Sequence, residues 1–272
     1  MKLSLSVKTV KHFFSEIYKI LKETDTKVTK IWVGFSEVNF FKGNDESEIR
    51  GYLSNFESIC IQKGNYKNYI VINKIIFIVE SIQILEEDIG KLSILVDFNG
   101  FEALVEEILK RNNYKTIKNF RFSDRSNYKS KTSQKRYEID VVGISKHHIL
   151  LIDAKQWVNK DSYSAMNKAA NHQYQRALAL QVNPEIFSGM VQNILGISEN
   201  IERRLPFVLV PVMVSLEQNH IKFNENNVPL VSIYQFNSFL QELTTNISYF
   251  KTIKINKFFI QKQLSDFYSL IV

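Results

Sequence analysis

Two short runs near the middle of the chain place carboxylates where apolar strands do not ordinarily carry them. Tyr137-Glu138-Ile139-Asp140-Val141-Val142-Gly143 and Ile149-Leu150-Leu151-Ile152-Asp153-Ala154-Lys155-Gln156-Trp157 both read as β-strands, each interrupted by an acid that burial would penalise without a partner. The tip between them falls at Lys146-His147. A two-residue turn there, flanked by Ser145 and His148, pairs residues whose numbers sum to 293, and Asp140 and Asp153 satisfy that sum. The two carboxylates would then oppose one another on one face of a hairpin. Like charges so placed repel, and a divalent cation is the obvious neutraliser. Oxygen-only ligands favour Mg²⁺, with Mn²⁺ as a substitute, over zinc. Lys155, two residues past Asp153, projects from the same face. It could hold or deprotonate a water, or steady charge building on a phosphate. All of this depends on the turn: Lys-His is poor hairpin chemistry, and a one-residue slip would send the acids to opposite faces. Asp-x-Lys alone says little, since Asp25-Thr26-Lys27 fits it too, in a stretch with no strand pattern.

A third carboxylate, Glu102, opens a helical pattern beginning Asn99-Gly100-Phe101-Glu102. Asn99 and Glu102 also fit an N-cap with its acid at N3, a role that needs no chemistry. Glu106, one turn further on the same face, is the other candidate.

The elements around these residues read as helix 99–112, strand 114–122, polar loop 123–135, strands 136–145 and 148–157, and a long helix from about 162 to 181. Phe207–Ser215 and Leu230–Tyr234 follow as buried strands, and Gln235–Thr244 as a short helix. That order is α/β: a mixed central sheet flanked by helices. Residues 1–96 form a separate α+β module. It comprises an amphipathic helix over Val7–Leu21 and β-like runs at Lys30–Phe35, Val38–Phe41, Ser58–Gln62 and Tyr69–Val79. No chemical motif occurs in it. The domain at 97–272 carries the acids, and the module is left to recognition, dimerisation or partner binding.

Charge is unevenly spread. The chain carries +7 overall, with a pI near 9.2, yet Lys110–Arg136 alone holds ten basic residues against one acid. That segment is therefore +9 and the remainder slightly acidic. Arg121, Arg125, Lys129, Lys131, Lys135 and Arg136 are interleaved with Phe120, Phe122 and Tyr128, as phosphate contacts beside stacking rings would be. A solvated basic loop has the same composition. The 44% apolar and 23% charged content excludes wholesale disorder. The single Cys60 excludes an internal disulfide and a cysteine-based zinc site, and reads as a small core residue in an apolar strand. His12, His147, His148, His172 and His220 show no metal spacing, and no apolar run approaches membrane-span length. A soluble, cytoplasmic protein is expected.

Taken in order, these segments resemble the PD-(D/E)xK phosphodiesterase superfamily, and within it the Mrr-like restriction endonucleases and archaeal Holliday-junction resolvases. The resemblance spans residues 97–245. Phe101-Glu102-Ala103-Leu104-Val105-Glu106-Glu107-Ile108-Leu109 followed by Tyr114 is similar to the helix that precedes the family's catalytic hairpin. Ile139-Asp140-Val141 and Asp153-Ala154-Lys155-Gln156-Trp157 match its hairpin motifs. Asp153 stands where the family commonly has Glu. Gln173 is followed four residues later by Ala177, so the Gln-x-x-x-Tyr of RecB-type members is absent.

The resemblance implies a restriction-endonuclease-like core and a nuclease acting on DNA in restriction, repair or recombination. Glu102, Asp140 and Asp153 would bind Mg²⁺ and Lys155 would position the attacking water. Gln173 and Arg176 could touch phosphate from the following helix, though such residues are more often exposed helix polar groups. A homodimer is implied by double-strand cutting. Two alternatives stay open: a catalytically silent nucleic-acid-binding module of the same fold, and an RNA nuclease.

Overall fold

The computed structural model describes residues 3–85, 88–123, 136–146, 148–156, 163–196, 201–216 and 222–259. Packing divides the chain into two units, Met1–Ile108 and Leu109–Val272.

In the first unit, helix α1 (Val7–Lys22) is capped by Ser6, whose Oγ accepts from Thr9 N at 3.3 Å. Its apolar face buries Phe13, Phe14, Ile17 and Leu21. Strands β1 (Lys30–Gly34), β2 (Ile59–Lys63) and β3 (Asn68–Asn73) form an antiparallel sheet in the order β1-β3-β2. Helix α2 (Glu46–Leu53) lies between the first two in sequence, and α3 (Lys74–Leu85) and α4 (Ile89–Ser93) follow the third. The core is aromatic: Phe13 packs on Phe40, Phe41, Tyr52 and Phe56, and Phe14 stacks on Phe77 at 5.2 Å.

Three expectations fail here. Val38–Phe41 is not a strand, and Asn39–Phe41 is a 3₁₀ turn whose Asn39 and Phe40 amides donate to the Glu16 carboxylate. Tyr69–Val79 is not one strand. Asn73 Oδ1 accepts from Ile75 N and Ile76 N at 3.0 and 3.4 Å, capping a new helix at the point where β3 ends. An all-apolar run such as Ile75–Val79 carries no periodicity to separate buried helix from buried strand. Cys60 is exposed, not a core residue, because strand alternation turns it to the outer face of the sheet while Ile59 faces inward.

Helix α5 (Phe98–Arg111) begins one residue earlier than its sequence suggests. Its first turn is capped by Asp97, whose Oδ1 accepts from Gly100 N at 2.9 Å. Asn99 is therefore inside the helix, and Glu102 is beyond the position of a capping-box acid.

The second unit holds a six-stranded mixed sheet. β4 (Lys115–Ser123), β5 (Arg136–Ser145) and β6 (His148–Lys155) are antiparallel neighbours; β7 (Phe207–Ser215) and β8 (Leu230–Ser232) extend the sheet in parallel from β6. β9 (Ile253–Ile255) pairs with the start of β7. Between β6 and β7 the chain crosses over through α6 (Tyr163–Val182) and α7 (Pro184–Leu195), separated at Asn183-Pro184; α8 (Ile233–Asn246) follows β8. Proline at the first position of α7 starts a new helix, and Asn183 Nδ2 closes the old one on Ala179 O at 2.8 Å. β5, β6 and β7 are buried on both faces almost throughout, as expected of strands covered on both sides. Gly143 is required where α5 ends against β5. A Cβ there would stand 3.0 Å from Leu109 Cδ1 and 3.2 Å from the Tyr114 ring.

The mixed sheet with flanking helices is the architecture read from the sequence. Its hairpin holds the expected register, Ser145 opposite His148 and Val141 opposite Ile152. Lys146 takes the left-handed conformation the turn needs, with φ 51°. His148 is a strand residue, not part of the turn, and His147 lies outside the described residues.

Candidate functional site

Asp140 and Asp153 are brought together as the register requires, and both are buried, at 7% and 2% exposure. Lys155 joins them. Its Nζ donates to Asp140 Oδ2 at 3.0 Å and lies 3.3 Å from Asp153 Oδ1. Arg176, reaching in from α6, donates through Nη1 to the same Asp153 oxygen at 2.9 Å and to Gln173 Oε1 at 2.7 Å. Two carboxylates and two cations thus share one buried corner at the end of β6.

The sheet is interrupted at this point. Pairing of β5 with β4 runs through Lys118–Val141 and resumes at Phe120–Ile139, omitting the position of Asp140. Asn119, the residue skipped on β4, is left-handed at φ 53°, a conformation asparagine tolerates better than most residues. On the other side the β5–β6 ladder ends at Val141–Ile152. The Ala154 amide donates instead to Asp140 Oδ2 at 2.9 Å. The Asp140 side chain therefore satisfies a strand amide, which fixes its carboxylate beside Asp153 without a further backbone pair.

The electrostatics follow from burial and proximity. Burial first, then the charge on Asp153, pushes the Asp140 carboxyl above its ordinary range, against the opposing pull of Lys155 and the Ala154 amide. For Lys155 burial is the largest single influence and would depress the ammonium. Asp153 and Asp140 together outweigh it and raise the lysine above its ordinary value. Lys155 therefore stays protonated at neutral pH, a hydrogen-bond donor and point charge. Of the two roles open to it, holding a water suits this state and deprotonating one does not.

Gln173 and Arg176 are not exposed helix polar groups. Gln173 is fully buried, and its Nε2 has no hydrogen-bond partner among the described residues, leaving a donor that a water or phosphate oxygen would satisfy. The contacts with Lys155, Arg176 and the Ala154 amide all fall on Asp140 Oδ2 and Asp153 Oδ1. These all-oxygen donors suit a hard divalent cation. No group of three or more His, Cys, Asp or Glu gathers as a metal site among the described residues. Glu102, partly buried in α5, belongs to the first unit.

A cleft of about 330 Å³ opens beside the corner, lined by Arg136, Tyr137, Glu138, Asn171, His172, Gln175 and Arg176. Arg176 is common to both, so an anion in the cleft could reach a side chain that also holds Asp153. Arg121 is exposed and paired across the strands with Glu138 at 2.9 Å. Arg125, Lys129, Lys131 and Lys135 lie outside the described residues. The second Asp-x-Lys, Asp25-Thr26-Lys27, is a turn in which Asp25 Oδ1 caps Lys27 N at 2.9 Å.

Residues 99–193 match the family model described as a nuclease-related domain, NERD. That match covers about a third of the chain, and over those residues the chain is similar to the nuclease-related domain. The matched segment runs from the start of α5 to the end of α7 and holds Glu102, the hairpin, Gln173 and Arg176. The nuclease-related domain supports the PD-(D/E)xK superfamily and does not single out the Mrr-like or resolvase branch. Among curated proteins there is no match. The crystal structure of protein VC1899 from Vibrio cholerae is similar over 89% of this chain and 51% of its own, at 12% identity and a TM-score of 0.31. The chain thus spans about half the length of that structure, a likeness too loose to add to the description of the fold. No helix among the described residues is long and apolar enough to cross a membrane.

Proposed function

We propose that this protein is a metal-dependent endonuclease that hydrolyses phosphodiester bonds of DNA. The single observation that carries the reading is the Lys155 ammonium held between two buried, opposed aspartates at the open end of β6. Burying two like charges side by side costs stability even with Lys155 and Arg176 beside them, and such costly, mutually perturbed groups cluster at functional sites.

Asp140 and Asp153 would hold Mg²⁺, or Mn²⁺ in its place. When bound, the cation would lower the pKa of a water and polarise the scissile phosphate. Lys155, kept protonated by the same two acids, would orient the attacking water and stabilise negative charge developing on the phosphate. Gln173 Nε2 and Arg176 would donate to phosphate oxygens from α6, and Arg136 from the rim of the cleft. The basic run with Arg121, Arg125, Lys129, Lys131 and Lys135 would follow the backbone, so affinity should fall steeply with salt.

Cleavage of labelled single-stranded, duplex, flapped and four-way-junction DNA, and of RNA, tests this in Mg²⁺, Mn²⁺ or EDTA. Metal-dependent cutting that disappears in Asp140→Ala while binding survives is the expected result. Tight, salt-sensitive binding with no cutting of any substrate would replace the endonuclease by a silent nucleic-acid-binding module. Cutting of RNA alone would replace DNA as the substrate.

A further inference from the structure

The outer face of the N-terminal sheet carries an indole that the core does not use. Alternation along the strands sends Val33, Ile59, Ile70 and Ile72 inward and buries them. The other set, Lys30, Trp32, Cys60, Gln62, Tyr69 and Val71, faces outward. Trp32 is 54% exposed. Its Nε1–H nevertheless donates to Gln62 Oε1 at 3.0 Å. These residues are not on neighbouring strands: β3 runs between β1 and β2. The hydrogen bond therefore draws the ring across the central strand. Val71, opposite both Trp32 and Cys60, is only 9% exposed although Cys60 beside it is open. An indole reaching over β3 toward Gln62 accounts for both values.

Cations frame this ring. Lys30 is exposed at one end of the outer face. At the other, Lys67 Nζ stands 5.0 Å from the Tyr69 ring centroid and 3.6 Å from Glu37 Oε1. None of the three strands contains a carboxylate. The apolar part of the face, Trp32 and Val71, is far smaller than the core of a stable protein interface. An anchored, half-exposed ring bordered by lysines and amides fits a base and its phosphates instead.

We propose that this face is a stacking platform for single-stranded nucleic acid, in which Trp32 takes a base and Lys30 and Lys67 take flanking phosphates. The choice of nucleic acid rests in part on the nuclease reading. A nuclease with such a platform would hold an unpaired strand outside its cleavage site and so favour substrates that offer one.

The chain holds only two tryptophans and one cysteine, which makes the test direct. In Trp157→Phe protein, fluorescence reports Trp32 alone, and Cys60 is a thiol probe on the same face. Oligo-dT and oligo-U strands and a DNA duplex are titrated in EDTA, so that nothing is cut. Single strands should quench Trp32 and slow maleimide labelling of Cys60, and a duplex should do neither. Trp32→Ala should lower single-strand affinity about fivefold to a hundredfold, the range for one lost base stack, and Trp32→Phe should restore most of it. Should Trp32→Ala fail to fold, quenching and Cys60 protection decide the matter alone. Unchanged fluorescence and unprotected Cys60 under saturating single strand would overturn the platform. So would Cys60 masking that grows with protein concentration without nucleic acid, which would give this face to a second copy. Metal-dependent cutting without quenching removes the platform and leaves the nuclease; quenching without cutting does the reverse.

Discussion

Each half of the chain takes a lysine at the end of a strand out of bulk water, and the two environments treat it oppositely. Lys74, directly after β3, is fully buried, and its Nζ donates to the carbonyls of Asp25 at 2.8 Å and Leu95 at 3.1 Å. Burial pushes its ammonium below the ordinary value, with Asp25 pulling back only partly. Lys155, the last residue of β6, lies between two carboxylates that raise it in spite of burial. Carbonyl dipoles satisfy the donors of Lys74 and tie two loops to a helix start. They leave no group for a substrate to meet. Around Lys155 there are more acids than the lysine needs, and Arg176 makes up the balance. A buried charge in a fold's service is minimally paired. The corner around Lys155 instead keeps a buried donor without a partner among the described residues, Gln173 Nε2.

The contrast is broken most forcefully by removing each ammonium while keeping its apolar stem. Lys155→Met should reduce cleavage at least about a hundredfold, as loss of a transition-state donor does, with nucleic-acid affinity retained in a gel-shift titration. Lys74→Met should act on stability instead. A buried and a part-buried carbonyl lose their donor, at a cost of about 1–3 kcal/mol, read as a lower urea midpoint, and activity of the folded protein is unchanged. If Lys74→Met proved as stable as wild type, its carbonyl contacts would not be what holds the turns together.

Arg176→Gln sharpens the comparison at the acid side. Without the guanidinium on Asp153 Oδ1, Ca²⁺ binding measured by calorimetry should tighten, on the order of tenfold, while affinity for DNA weakens. Unaltered Ca²⁺ affinity would mean that Arg176 does not compete with a cation there.

The smallest effect concerns Asp140. Its carboxyl is raised in the folded chain, so the ionised form is a penalty on folding above that raised pKa and is relieved as pH falls through it. Asp140→Asn should therefore melt roughly 2–4 °C above wild type at pH 7.5, and the gap should close on acidification into the carboxylate range. A variant melting lower at every pH would show that the pairing with Lys155 outweighs burial.

Much of the corner around Lys155 was legible before the fold. Apolar runs with a single acid, a two-residue turn and the spacing of Asp153 and Lys155 were enough to oppose the acids, because hairpin pairing is local and its period of two is strict. The N-terminal module was less legible. Ile75–Val79 reads equally as strand or helix until Asn73 is seen capping it, and Cys60 looks like a core residue until strand alternation is anchored by Ile59. Asn99 reads as the N-cap by type, and only the hydrogen bond from Gly100 N to Asp97 Oδ1 shows that the helix starts earlier.

The sequence by itself therefore determined the α/β class, the hairpin register, the facing aspartates and the lysine beside them, all consequences of short-range periodicity. Only the tertiary structure decided the rest. Arg176 meets Asp153 across 23 residues, and Gln173 is buried with a spare donor, because α6 packs against the sheet with that face inward. The gap in the ladder at Asp140 and the indole drawn across β3 also depend on which strands became neighbours. Packing between distant segments is set by the whole core, and no local spacing encodes it.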